Sequence, residues 1–134
     1  MQASAHRLLQ KYSDEVLKSY GITKMQWLVI GLILDAGDKG IRITDLASRL
    51  GTTLSYLTNT INLLESKDMV TRTVLKSDTR TKFVTINPEF AKKCDEIEEY
   101  LRDQLRSTIY ANVAPEDFRV YMRVLIQLTE TVER

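Results

Sequence analysis

TDLASRLGTTLSYLTNTINLLESKDMV, residues 44–70, is the stretch from which the fold of this chain is read. Thr44 is the expected N-cap of a first short helix, and Leu46, Ala47 and Leu50 follow on one face at helical spacing. Gly51 ends that helix because glycine enters the left-handed region without a Cβ penalty. Past Thr52 and Thr53 a second helix is predicted, with Leu54, Leu57, Ile61 and Leu64 making one apolar stripe. At about 100° per residue, Ser55, Asn59 and Asn62 lie farthest from that stripe, flanked by Tyr56, Thr58 and Leu63. Such a polar face is the ordinary solvated side of a surface helix. It also suits the edges of bases, since asparagine pairs bidentately with adenine N6 and N7 and hydroxyls donate or accept at most bases.

The following residues favour the second reading. Asp68 ends the helix, and residues 69–76 and 81–86 are β-branched runs around a polar tip, Ser77-Asp78-Thr79-Arg80. Arg72, Lys76, Arg80 and Lys82 face only Asp78 in this hairpin. Edge strands use lysine against aggregation, but a solvated hairpin needs no such bias. An arginine at the tip can enter a narrow A·T minor groove, with Asp78 orienting Arg80 through a charge-assisted bond, while Lys76 and Lys82 suit phosphates. Helix, turn, helix and basic hairpin in this order predict a winged helix-turn-helix, in a fold that is mostly α with a small β wing.

These residues resemble the multiple antibiotic resistance regulator (MarR) family. Ile22-Thr23-Lys24-Met25-Gln26-Trp27-Leu28 looks like the family's L-T-x-x-Q-W/F-x-V-L segment, and Thr44 to Gly51 looks like its L-A-x-x-L-G segment. Leu64 to Arg72 is similar to L-E-x-x-G-L-V-x-R, Asp78-Thr79-Arg80-Thr81 to the D-x-R-x wing tip, and Ala114 to Phe118 to L-S-x-E-E-L. The resemblance covers most of the chain and implies a homodimeric transcription factor on pseudo-palindromic double-stranded DNA, most often a repressor relieved by a small ligand. Residues 1–21 are then an N-terminal dimerisation helix, 22–87 the DNA-binding region and 88–134 the C-terminal dimerisation helices, within a single MarR-type domain. The positions expected at DNA are Arg42, Thr44, Thr52, Thr53, Ser55, Tyr56, Thr58, Asn59, Asn62, Arg72, Lys76, Asp78, Arg80 and Lys82. Two departures stand out. No Lys or Arg occurs between Arg49 and Lys67, where relatives often carry arginine, and Asp68 replaces the usual glycine. Phosphate neutralisation must then come mainly from the wing and from Arg42 and Arg49.

Composition agrees with this organisation. The chain has 134 residues, 43% of them hydrophobic, enough for one domain with a core. Its formal charge of +1 is small, but residues 22–87 hold nine basic against six acidic residues and residues 88–134 seven against ten. The basic excess thus coincides with the expected reading surface. Amphipathic helices are predicted at residues 4–20, at 89–111 and from Pro115 onward. The winged core is too small to cover their stripes, so Leu9, Tyr12, Val16, Phe118, Tyr121, Leu125 and Leu128 are expected between two copies of the chain; a helical cap folded back on one copy is the alternative.

The other conspicuous residues have plain readings. Cys94, the single cysteine, lies on an apolar stripe and reads as core or interface. His6 has no metal-ligating neighbour in sequence, and no metal or cofactor is expected. Trp27 reads as core; the resemblance gives it and Tyr20 an alternative place, lining a cleft in which relatives bind small aromatic effectors. No phosphate loop, nucleophile elbow or metal spacing is present, and Asp95, Glu96, Glu98 and Glu99 form a solvated face, so an enzyme is not expected. Neither a signal peptide nor a membrane span is evident, and a cytoplasmic location is expected. The competing function is a winged helix used for protein contact, as antirepressor or adaptor, and the basic hairpin argues against it.

Overall fold

The computed structural model describes residues 2–75, 78–108 and 110–133. Helix α1 (Gln2–Ser19) leads through a turn into α2 (Lys24–Ala36), and a 3-10 turn at Gly37–Lys39 feeds strand β1 (Ile41–Arg42). Helices α3 (Ile43–Leu50) and α4 (Leu54–Ser66) follow, then strands β2 (Val70–Leu75) and β3 (Asp78–Ile86), then α5 (Pro88–Ser107) and α6 (Pro115–Glu133). The strands form one antiparallel sheet in the order β1-β3-β2. The fold is therefore mostly α with a small β wing, as the pattern predicts.

Local chemistry accounts for most of these boundaries. Thr23 caps α2 in a complete capping box: its hydroxyl oxygen accepts from the Gln26 N–H at 3.2 Å, and Gln26 Oε1 accepts from the Thr23 N–H at 3.1 Å. Gly51 takes φ 64°, as expected of a glycine ending α3. Asp68 performs the same service after α4 at φ 59°, although it has a side chain. Its N–H reaches Glu65 O at 3.0 Å and the Met69 N–H reaches Leu64 O at 3.0 Å, the paired bonds of a Schellman ending. Asn87 Nδ2 holds the Asp68 carbonyl at 2.7 Å, so the strained turn is braced from β3's far end.

Five expectations are corrected. Thr44 is not the N-cap of α3: the helix starts at Ile43, and Arg42, leaving β1 in extended backbone, occupies the cap position without a side-chain bond. Leu54 is off the buried stripe of α4, half exposed in its first turn, and Thr60 joins Leu57, Ile61 and Leu64 on the covered side. Helix α4 stops at Ser66, two residues before Asp68, and α5 stops at Ser107. The polar segment 77–80 is not a plain tip, because β3 already begins at Asp78. Val74 pairs with Lys82 but Leu75 with Asp78, so residues 79–81 form a bulge on β3.

The core joins helices α1 to α5 with the sheet. Leu17 and Ile22, Val29, Ile30 and Ile33 of α2, Leu46 of α3, Leu57, Ile61 and Leu64 of α4, Val70 and Val84 of the sheet, and Cys94 and Ile97 of α5 pack as one cluster. Trp27 is half-buried against it. Helix α6 differs in kind. Phe118 stacks edge-on against Tyr110 at 4.9 Å, but every residue from 119 to 131 is exposed, including Val120, Tyr121, Leu125, Ile126 and Leu128. No helix among the described residues is long and apolar enough to cross a membrane.

Candidate nucleic-acid interface

Helix α4 is held from inside so that its outer face is free. Thr53 caps it by accepting the Tyr56 N–H at 3.1 Å, and the Thr60 hydroxyl donates back to Tyr56 O at 3.1 Å. With Leu57, Ile61 and Leu64 fully buried, Ser55, Tyr56, Asn59, Asn62 and Leu63 are all exposed on the opposite side. Thr58 and Thr52 are half-buried beside them. The C-terminal end is tethered by Lys67, whose ammonium donates to Gly21 O at 3.2 Å.

The wing is fixed to this helix by an ion pair. Arg72 on β2 donates from Nη2 to Glu65 Oε1 at 2.9 Å, and its backbone N–H donates to Glu65 Oε2 at 3.3 Å. The guanidinium's hydrogen bond, its charge and this backbone bond together outweigh burial and hold the Glu65 carboxyl below the ordinary carboxylate range. Thr71 bonds Asn87 on the same edge. On the other edge, β1 pairs Arg42 with Phe83, and the Arg42 guanidinium lies 5.7 Å from that ring's centroid, a cation–π contact.

Between α3, the start of α4 and the wing lies a cleft of about 380 Å³. Arg42, Thr44, Thr58, Arg72 and Lys82, five of the positions expected at DNA, line it together with Thr81 and Leu54. Three cations and three hydroxyls thus meet beside the N-terminus of α4, where the helix dipole adds positive potential. Arg49 does not line this cleft; it lies on a second one, with Asp35 and Asp45, that shares Arg42 with the first. Lys76 lies outside the described residues, as do the side chains of Asp78 and Arg80, whose backbone belongs to β3.

The sequence reading did not find three participants. Thr81 reaches the cleft through the bulge, Phe83 supports Arg42 through a strand pairing of two residues, and Glu65 orders Arg72 across the turn at Asp68. The hydroxyl, the ring and the carboxylate are ordinary in sequence, and only the sheet register puts them here.

The residues expected at other sites are placed as follows. Leu9, Tyr12 and Val16 on α1 and Phe118 on α6 are half-buried, while Tyr121, Leu125 and Leu128 are exposed. Tyr20 stacks edge-on with Tyr100 at 6.2 Å, and Lys93 Nζ lies 5.3 Å from its ring centroid. Cys94 is buried, and burial raises its thiol to about 11, with Asp95 and Glu98 adding to the shift. No group of three or more potential metal ligands occurs among the described residues.

The model of the MarR family matches residues 20–81, the turn before α2 through the bulge of β3. Solved structures share the fold over nearly the whole chain. AbsC, a MarR family transcriptional regulator from Streptomyces coelicolor, is 21% identical, with a TM-score of 0.73 over 98% of this chain and 89% of its own. Wild-type MarR from E. coli in its apo form is 21% identical at a TM-score of 0.80, covering 94% of this chain and 91% of its own. A complex of S. aureus MepR with DNA is 20% identical at 0.70, covering 94% and 91%. No curated protein sequence matches the chain.

Proposed function

We propose that the protein is a sequence-specific DNA-binding transcriptional regulator of the MarR type, acting as a homodimeric repressor; the MarR family model matches residues 20–81. The observation that carries this reading is the meeting of the outward polar face of α4 with the cleft of Arg42, Arg72 and Lys82. A helix placed in the major groove presents Ser55, Asn59 and Asn62 to base edges, while cations at its start and on the wing meet phosphates. Structures of similar fold include MepR bound to DNA, which supports the docking mode.

Dimerisation rests on α6. A run of exposed Val120, Tyr121, Leu125, Ile126 and Leu128 is unstable in water unless covered, and a second copy covers it symmetrically with Leu9, Tyr12 and Val16 of α1. Two α4 helices then occupy successive major grooves roughly 34 Å apart, with the wings at the flanking minor grooves. Occupation of a pseudo-palindromic promoter site excludes polymerase. A small aromatic effector wedged at Tyr20 and Trp27, between the terminal helices and the winged core, would change that spacing and lower affinity. The cytoplasm is where such a protein acts.

The test is a fluorescence-polarisation titration of the intact protein against DNA from upstream of its own gene and against random duplex, at two salt concentrations. Specific binding should be tighter and should fall steeply with salt, by on the order of a hundredfold between 50 and 200 mM. The absence of cations on α4, with Arg72 engaged by Glu65, favours a second reading, a protein-contact module. Equal, salt-insensitive or absent binding to both duplexes would select it.

A further inference from the structure

The outer face of α4 is a patch centred on Asn59. Ser55, Tyr56, Asn62 and Leu63 are its neighbours three and four residues away, and all five are exposed. Among the described residues, the side chains of Ser55, Asn59 and Asn62 make no hydrogen bond, so their polar groups are free to meet a partner. Tyr56 and Leu63 are 47% and 44% exposed, although the helix has a fully buried side on which large residues pack. Leu63 is thus available for an external apolar contact. The helix carries no Lys or Arg, and the adjoining Lys67 is tethered to Gly21 O.

We propose that the half-site facing α4 is read as A·T pairs, with adenine bonded by Asn59 and thymine methyl groups covered by Leu63 and Tyr56, and with no direct contact to guanine. This rests on the DNA-binding reading above and gives it a base chemistry. Adenine offers one donor and one acceptor in the major groove, which a single asparagine amide complements. Guanine offers two acceptors, N7 and O6, so the amide carbonyl would face O6 unpaired, and no cationic fork is present on this helix to satisfy both. Leucine against a guanine or cytosine edge would strip water from polar atoms without replacing it, whereas against thymine it buries a methyl. Leu63 lies one helical turn beyond Asn59, about 6 Å along the axis, within reach of an adjoining base pair.

The experiment starts by selecting duplexes from a random library with the intact protein, then measures polarisation on the best duplex and on chemically edited forms. The proposal expects A·T pairs at the central positions of each half-site. Replacing thymine there by uracil, which removes only the methyl, should weaken wild-type binding about fourfold per covered methyl. In the double variant Tyr56→Ala/Leu63→Ala the same edits should have no effect, and replacing adenine by 7-deaza-adenine should cost wild type on the order of tenfold and Asn59→Ala nothing further. Circular dichroism melting verifies that both variants remain folded. Selected half-sites with guanine at these positions, or a uracil effect that persists in Tyr56→Ala/Leu63→Ala, would overturn the proposal while leaving DNA binding intact. Failure to enrich any duplex would overturn the DNA-binding reading and the proposal with it.

Discussion

Replacing Glu65 tests how the wing is attached to the recognition helix. Glu65 accepts three bonds from Arg72: Nη2 at 2.9 Å, Nε at 3.5 Å and the backbone N–H at 3.3 Å. The side chains are 24% and 39% exposed, so the ionic part is screened and contributes about 0.5–1 kcal/mol. The backbone bond to a charged acceptor adds roughly another 1 kcal/mol. Glu65→Ala should therefore cost about 1–2 kcal/mol, and Glu65→Gln, which keeps an acceptor for the N–H, about half of that. For a domain of this size the loss corresponds to a melting temperature lower by roughly 3–8 °C, measured by circular dichroism at one fixed protein concentration. The pH dependence has a definite sign. Because the folded Glu65 pKa is lowered, chiefly by the Arg72 side-chain bond, its stabilisation is complete above the unfolded value and fades as pH falls through the folded one. The gap between wild type and Glu65→Gln should thus be widest at neutral pH, begin to narrow in the ordinary glutamate range and close only once pH is below the lowered folded value. Unchanged melting of both variants at pH 7, or a gap that stays constant into acid, would refute the anchoring.

Three further outcomes are expected. Light scattering of the intact protein should give about twice its 15.4 kDa mass, and deletion of residues 115–134 should give aggregates; a soluble monomer at micromolar concentration would contradict the role of α6. Cys94, buried and with its thiol raised to about 11, should resist Ellman's reagent at pH 8 and react fully after denaturation; rapid labelling of the folded protein would contradict its place in the core. Arg80→Ala should weaken operator binding by about 1–3 kcal/mol without changing the melting temperature, and an unchanged dissociation constant would remove the minor-groove role.

The sequence reveals what depends on periodicity and local capping, and conceals what depends on pairing between distant segments. The stripe Leu57, Ile61, Leu64 and the turn at Gly51 are local, and both stand in the structure. Thr44 looks like a cap by residue type, yet α3 begins earlier because β1 pairs Ile41 with Val84 and delivers Arg42 in extended backbone, a partnership some forty residues apart. Leu54 keeps the helical spacing but opens the helix at the rim of a cleft, where half of it stays exposed. The bulge at 79–81 is a matter of register, which β-branched composition does not encode. At the candidate interface, the polar face of α4 follows from spacing alone. The engagement of Arg72 by Glu65 does not, because it requires the left-handed Asp68 to fold β2 back along α4.

The proposed division of labour, in which α4 reads bases while the wing holds the backbone, is tested by two variants side by side. Asn59 is exposed at the centre of the outer face, and Lys82 lines the cleft beside the wing. Dissociation constants of Asn59→Ala and Lys82→Ala should be measured on the operator and on random duplex at two salt concentrations. Asn59→Ala should lose about 1–3 kcal/mol on the operator and little on random DNA, while Lys82→Ala should weaken both and lower the salt slope by about one unit. Equal losses on both duplexes for Asn59→Ala would contradict base reading by this helix.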